Sequence, residues 1–388
     1  MPRMKFYICL ISVFLTHLLW ADDTLLISIY NRSSLQQVLI NPDGAVYTVE
    51  GKDLNVSIAP GDWLRITKKE GAFHVQGAKQ DFGLHRTLRI RASVSSSLLK
   101  VLPENPKKLE QWYGGNIRVE YTLKGLKLLN EVALEEYVAG VVQAESGVDQ
   151  NKEYYKVQGI ICRTFALSNI NKHITEGFNL CDQTHCQVYH GKARAKSYIH
   201  EALGETQGKV LVDSNLRFIE AVFHSNCGGQ TLNSEDYWRG SINYLRSKLD
   251  SLCENMPHWS WTFALESDQW LGYLKQKFNF PIHDTIHAYN AKNWHPQYRG
   301  KWFLNPGFRI PVRTIREDWR LRSTNFSVVE KDGIVTIIGT GFGHGVGLCQ
   351  EGAMARSDKE SFSDILHFYY ENVYIVDKNR VAFYKKYK

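Results

Sequence analysis

The repeat of apolar residues along this chain changes sharply near position 130, and that change limits the fold more than any other feature. From residue 22 to about 130, apolar and polar residues alternate in short runs, the period of half-buried strands. Leu25-Leu-Ile-Ser-Ile-Tyr30, Ala45-Val-Tyr-Thr-Val49 and Trp63-Leu-Arg-Ile66 read as strands, punctuated by Asn41-Pro-Asp-Gly44 and Pro60-Gly-Asp62. The polar, Pro-bearing stretch from Pro103 to Lys108 marks the expected end of this region, with two more strands near Asn116–Tyr121 and Leu126–Leu129. The period then lengthens to that of a helix. Leu134, Tyr137, Val138, Val141 and Val142 share one face up to Glu145, and a second amphipathic stretch runs from about Glu153 to Asn169. Beyond position 200 short strands return, followed by a tryptophan-rich segment, with no internal repeat and no low-complexity tract. The expected class is α+β: an N-terminal all-β domain over 22–108, then a mixed helix/strand domain over 109–388.

Arg3 and Lys5 precede an apolar run, Phe6 to Trp20, that ends at Ala21 before Asp22 and Asp23. A membrane span needs roughly 20 apolar residues, so residues 1–21 read as an export signal. Leu19 occupies a position where a cleavage site prefers a small residue, which leaves an uncleaved membrane anchor as the alternative. Both readings place the chain in the periplasm or cell envelope. The formal charge of +7 falls to +5 (45 basic against 40 acidic) once Arg3 and Lys5 are set aside. Spread along the chain, that mild excess suits an anionic envelope surface and argues against a nucleic-acid partner. Cysteines at 162, 181, 186, 227, 253 and 349 follow the signal, with the spacing of no small disulfide scaffold.

Glu145 continues the apolar face of the first helix at its C-terminal end. Burial and the negative end of the helix dipole both oppose its charge and raise its pKa, as a general acid near neutral pH requires. The alternative is a helix-terminal glutamate turned to solvent beside Gly147, the expected C-cap. Cys181, His185 and Cys186 bring two thiols and an imidazole within six residues, a donor set suited to tetrahedral zinc; the fourth ligand would be His173, His190 or a distant residue. A disulfide is the competing use of these cysteines, and Cys227 with Cys253 is a second candidate pair. Ser225 lacks a nucleophile elbow. Lys156 and Arg163 are seven apart and share a helix face, either as substrate-orienting cations or as a solvated basic edge. The tryptophans suit sugar platforms or, more simply, core.

Glycine occupies positions 339, 341, 343, 345 and 347 within Gly339–Ala353, placing His344 between two residues without side chains. The run marks a bulge, a close backbone approach or a flexible loop, and its spacing is not that of a phosphate loop.

Four blocks in this order, Glu131–Glu145, Lys156–Leu167, Cys181–Tyr189 and Gly339–Ala353, resemble the stage II sporulation protein D family, which includes amidase enhancers. Phe223–Thr231, Asn233–Asp236 and Leu321–Phe326 fit the same pattern, so the likeness covers roughly 110–388. It implies a catalytic domain with a glycan-binding groove and a lytic transglycosylase that acts on peptide-stripped peptidoglycan glycan strands. The family's catalytic acid falls on Glu145, and polar cleft residues fall on Lys156 and Arg163. The family's zinc would use Cys181, His185 and Cys186, with His173 the nearest fourth ligand. His344 and Gln350 would hydrogen-bond the sugars from one wall of the groove. Its alternative is a non-catalytic peptidoglycan-binding protein that stimulates a cell-wall amidase.

Overall fold

The computed structural model describes residues 23–94, 97–193, 198–304 and 307–381; the expected export signal lies outside them. Among the described residues twelve strands precede the first helix: β1 (Thr24–Ile29), β2 (Gln37–Asp43), β3 (Tyr47–Gly51), β4 (Leu54–Ile58), β5 (Leu64–Lys69), β6 (Ala72–Gly77), β7 (Asp81–His85), β8 (Thr87–Ala92), β9 (Leu98–Asn105), β10 (Gln111–Tyr113), β11 (Asn116–Tyr121) and β12 (Leu126–Ala133). A short β13 (Leu180–Cys181) follows the helices and joins the first sheet. The sheets run β13-β1-β12-β11-β8-β3-β4 and β10-β9-β2-β5-β6-β7. Alternate residues such as Ile27, Val38, Val49, Ile66, Val75, Ile90 and Val119 are fully buried, as period-two patterning dictates.

The α+β class holds. The expected boundary at 108/109 does not separate two domains, because strands cross it in both sheets. Strand β1 pairs antiparallel with β12 from Thr24↔Ala133 to Ile29↔Leu128, β11 pairs with β8, and β10 pairs with β9. Strand β13 adds in parallel to β1, Ser28 opposite Cys181. One hydrophobic core runs from Leu25 through both sheets to Val381. Pro103–Asn105 is the end of β9, and Pro106–Lys108 starts the connection to β10 within the same sheet.

Helix α1 (Leu134–Ser146) starts directly from β12, with Glu135 and Glu136 at its positive end, and stops at Gly147, whose φ of 71° and N–H to Gln143 close the last turn. Helix α2 (Lys152–Ser168) is capped by the Asn151 side chain, which accepts from the Tyr154 N–H. Its pattern predicts one apolar face, yet all but four of its residues are buried. It passes between α1, the helix Ile199–Glu205, the strand Lys209–Val212 and the helices Gln350–Arg356 and Phe362–Tyr369.

Residues from Ser260 to Thr340 form a lobe with its own core. Its strands Ser260–Glu266, Ile334–Thr340 and Phe326–Lys331 make an antiparallel sheet packed by three helices. Trp270 is fully buried and Trp261 nearly so, which assigns those two tryptophans to packing.

The burial of α2 sets a stability test. The Arg163 guanidinium is fully buried and bonds both carboxylate oxygens of Glu135, at 2.8 and 2.5 Å. Removing one partner of a buried pair costs ~3–5 kcal/mol; with the Glu135 side chain 29% exposed, Arg163→Met belongs at the low end. Urea unfolding measures it, and a loss below ~1 kcal/mol, the size of a surface pair, would show that the bond is not structural.

Candidate active site and metal group

The loop after β13 runs back along α1 and makes the site. At Gly140 an added Cβ would lie 2.2 Å from the Gly191 carbonyl oxygen; at Gly191 (φ 90°) it would lie 2.1 Å from that of Trp112. Only glycine lets these three backbones touch. The contact brings the loop alongside the end of α1, where the Val188 N–H donates to Glu145 Oε1 at 3.0 Å. Glu145 is half-buried. Desolvation raises its pKa and the Val188 bond partly opposes that rise. No charged neighbour enters the balance among the described residues. Beneath the helix end, Ser146, Tyr154, Gln158 and Cys162 form a buried hydrogen-bonded series. Tyr154, kept neutral first by burial, also feels the charges of Glu145 and Cys349, so the end of the glycine-rich stretch lies near the acid.

The same loop gathers His173, Cys181, His185 and Cys186, with one donor atom from each within 4.8 Å of the others. Cys186 Sγ lies 3.4 Å from His173 Nε2 and 4.0 Å from His185 Nδ1; Cys181 Sγ is 4.0 Å from the same Nδ1. A tetrahedral centre with bonds of roughly 2.0–2.3 Å puts its ligands at about such separations. His173 directs its other nitrogen, Nδ1, to Glu176 Oε1 at 2.5 Å, the outer carboxylate that orients many ligating histidines. The four residues therefore fit a divalent cation. Cys181 and Cys186 are not joined by a disulfide, and neither are Cys227 and Cys253, 3.3 Å apart at sulfur. The β region holds this group in place: Asp182, beside Cys181, accepts from the Tyr30 N–H at 2.5 Å and from the Asn31 N–H at 3.3 Å.

Two expected substrate contacts, Lys156 and Arg163, are revised. Lys156 bonds Glu153 and Glu205 at 2.6 and 2.7 Å, and Arg163 is occupied by Glu135 and the Lys209 carbonyl. Both tie helices together. His344 spends its Nδ1 accepting from the Val346 N–H at 3.1 Å and packs near His224, Tyr237 and Trp238. Burial, with Arg316 adding to it, lowers its pKa to about 4, so the ring is neutral at physiological pH. Gln350 differs from these. It is buried, and its Nε2 has no partner among the described residues, which leaves a donor unspent.

The glycines of 339–347 face protein. Cβ atoms at Gly341, Gly343 and Gly347 would strike Asn226, His224 and Val222 at 2.2–2.7 Å, and one at Gly345 would strike Arg299. The stretch is a ribbon laid on 222–228. Sequence reasoning did not find Val188, Glu176 or Tyr154. Glu176 is three residues from His173, a spacing that could have flagged it.

Comparison with known proteins relates the segment that carries this site to one family. Residues 122–212, which run from β12 through the helical pair and the loop to Val212, match the family model described as Stage II sporulation protein. The chain is 32% identical over 278 residues to the stage II sporulation protein D of Bacillus amyloliquefaciens, covering 67% of this chain and 78% of that protein. It is 31% identical over 276 residues to the Bacillus subtilis (strain 168) protein of the same name, with the same coverage. It is also 28% identical over 286 residues to the amidase enhancer of Bacillus subtilis (strain 168), spanning 60% of this chain and 39% of that one.

The raised pKa of Glu145 has a measurable consequence for stability. The fold favours the protonated form, so the contribution is whole in acid and is lost as pH rises through the folded-state pKa. Glu145→Gln keeps an oxygen for the Val188 N–H without a charge to bury. In denaturant titrations the variant should gain on wild type as pH goes from acidic to neutral; a gap that stays constant would mean the carboxyl is solvated.

Proposed function

We propose, from the premise that the chain belongs to the stage II sporulation protein D family, that it is a lytic transglycosylase of peptidoglycan glycan strands. Glu145 carries the proposal, as a half-buried carboxyl whose pKa burial raises and whose one bonded oxygen is fixed by Val188. Protonated Glu145 gives its proton to the oxygen linking N-acetylmuramic acid to N-acetylglucosamine. The carboxylate so formed takes a proton from the 6-hydroxyl of the muramic acid as that oxygen closes on the anomeric carbon. The glycosidic bond breaks, a 1,6-anhydro end forms, and Glu145 regains its proton. Because the nucleophile belongs to the substrate, this route needs no second carboxylate across the bond, unlike ordinary glycoside hydrolysis. Gln350 is proposed to bind sugar through its unpaired Nε2, which is buried and would have to be uncovered as the strand binds.

His173, Cys181, His185 and Cys186 are proposed to hold zinc as a structural ion. It would cross-link the loop that presents Val188, and it takes no part in proton transfer. The proposed setting is the cell envelope, with the chain exported or anchored through residues 1–21. Among the described residues no helix is long and apolar enough to cross a membrane.

The second reading is a non-catalytic wall-binding protein that stimulates an amidase, favoured by the similarity to an amidase enhancer. One experiment decides between them. Wild type and Glu145→Gln are incubated with peptide-free glycan strands and anhydro-ended products are counted. Loss of a general acid predicts a drop of about 10²–10⁴-fold. Product release by the variant at the wild-type rate would remove Glu145 from the mechanism, whereas strand binding with no products from either protein would establish the binding role. The wild-type rate should also fall on the alkaline side as Glu145 loses its proton, so a flat alkaline limb would contradict its role as acid.

A further inference from the structure

A second sulfur-rich group lies outside the machinery described so far. Cys227 sits in the turn after the strand Phe223–His224, Asp250 ends the strand Leu249–Asp250, Cys253 closes the 3₁₀ turn Ser251–Cys253, and Cys349 caps the helix Gln350–Arg356. All four are fully buried, and one donor atom from each lies within 4.8 Å of the others. Cys227 Sγ is 3.3 Å from Cys253 Sγ and 3.8 Å from Asp250 Oδ2. Metal–sulfur bonds of roughly 2.3 Å in a tetrahedron put sulfurs at about these separations.

The lining is built for anionic sulfur. Cys349 Sγ accepts from the Cys227 N–H at 3.2 Å and from the Gly352 N–H at 3.3 Å. The amides of Gly228 and Gly229, both at positive φ, face Cys253. Asp250 is oriented by Arg356 Nη2 at 3.2 Å on one oxygen and by the Tyr369 hydroxyl at 2.5 Å on the other, as outer groups orient ligating carboxylates. Gly352 lets the helix start close over this carboxylate, since a Cβ there would lie 2.1 Å from Asp250 Oδ2. Once ionised, three thiolates and a carboxylate would exceed the charge of the one arginine, and a divalent cation would supply the balance as it displaces the protons.

We propose that Cys227, Asp250, Cys253 and Cys349 form a second cation site, taking Zn²⁺ or another thiophilic divalent ion as the thiols release their protons. Bound there, the ion joins the end of the glycine ribbon to the 227–230 turn and to the 251–253 turn. The proposal does not depend on which function the protein has, because Glu145 is not among the four ligands. The rival use of these residues is a Cys227–Cys253 disulfide, which leaves Cys349 and its two N–H donors unexplained.

The test is a metal count on the full chain purified under reducing conditions, by plasma mass spectrometry, beside Cys181→Ser and Cys349→Ser. Serine at 349 still accepts from the Gly352 N–H as an N-cap, so the helix start is kept. Wild type should carry one more zinc than Cys349→Ser, and Cys181→Ser reads the His173 group separately. In the Cys181→Ser background, added Co²⁺ should give a thiolate-to-cobalt charge-transfer band that Cys349→Ser weakens or abolishes. An equal zinc count in wild type and Cys349→Ser overturns the site. So does an unreduced chain two hydrogens lighter with Cys227 and Cys253 linked. Should Cys349→Ser fail to fold, a Cys181→Ser/Cys186→Ser chain, with no thiol left in the first group, decides alone: no thiolate–cobalt band on Co²⁺ addition overturns the site, and a band supports it.

Discussion

Three backbones meet at Trp112, Gly191 and Gly140, and the site depends on that contact. The first belongs to a strand, the second to the loop after β13 and the third to α1. A Cβ at either glycine would lie 2.1–2.2 Å from the facing carbonyl oxygen, so the backbones would have to part. With the contact made, the Lys192 N–H reaches the Trp112 carbonyl at 2.8 Å and the loop lies close enough for Val188 to hold the Glu145 carboxylate. The β region therefore helps set the position of the acid through the loop that carries Val188. It also fixes the metal-fitting group, through the pairing of β13 with β1 and the two N–H bonds to Asp182.

The periodicity made the strands and both helices legible, and Gly147 as the stop of α1 was legible from its type. The surroundings of α2 were not. Lys156, Gln158 and Arg163 are polar, so the repeat implied a solvated face, whereas each finds its partner from another part of the chain or one turn away: Glu205, Tyr154 and Glu135. A one-dimensional pattern records polarity and leaves out pairing, so a buried ion pair and an open cleft read alike. The domain boundary failed for a related reason. A proline-bearing polar stretch looks like a linker whether it joins two domains or turns between strands of one sheet.

The glycine ribbon shows the same limit from another side. Its alternation correctly announced close backbone approach, and what approaches is the segment 222–228 together with Arg299. Glycine spacing tells that space is short and nothing about who occupies it. That Glu145 is half-buried with a raised pKa was legible because it continues the apolar face of α1. Val188 was not, since it contributes only its amide and any residue but proline could have done so.

The lobe from Ser260 to Thr340 is entered and left at one place, for those two residues face each other across its sheet. A unit closed on itself in this way can lengthen, shrink or be exchanged without rerouting the chain around Glu145. Across descendants of a common ancestor this segment is where size and sequence should drift fastest. The helical pair and its clasping loop, locked by glycines that tolerate no replacement, should keep their lengths.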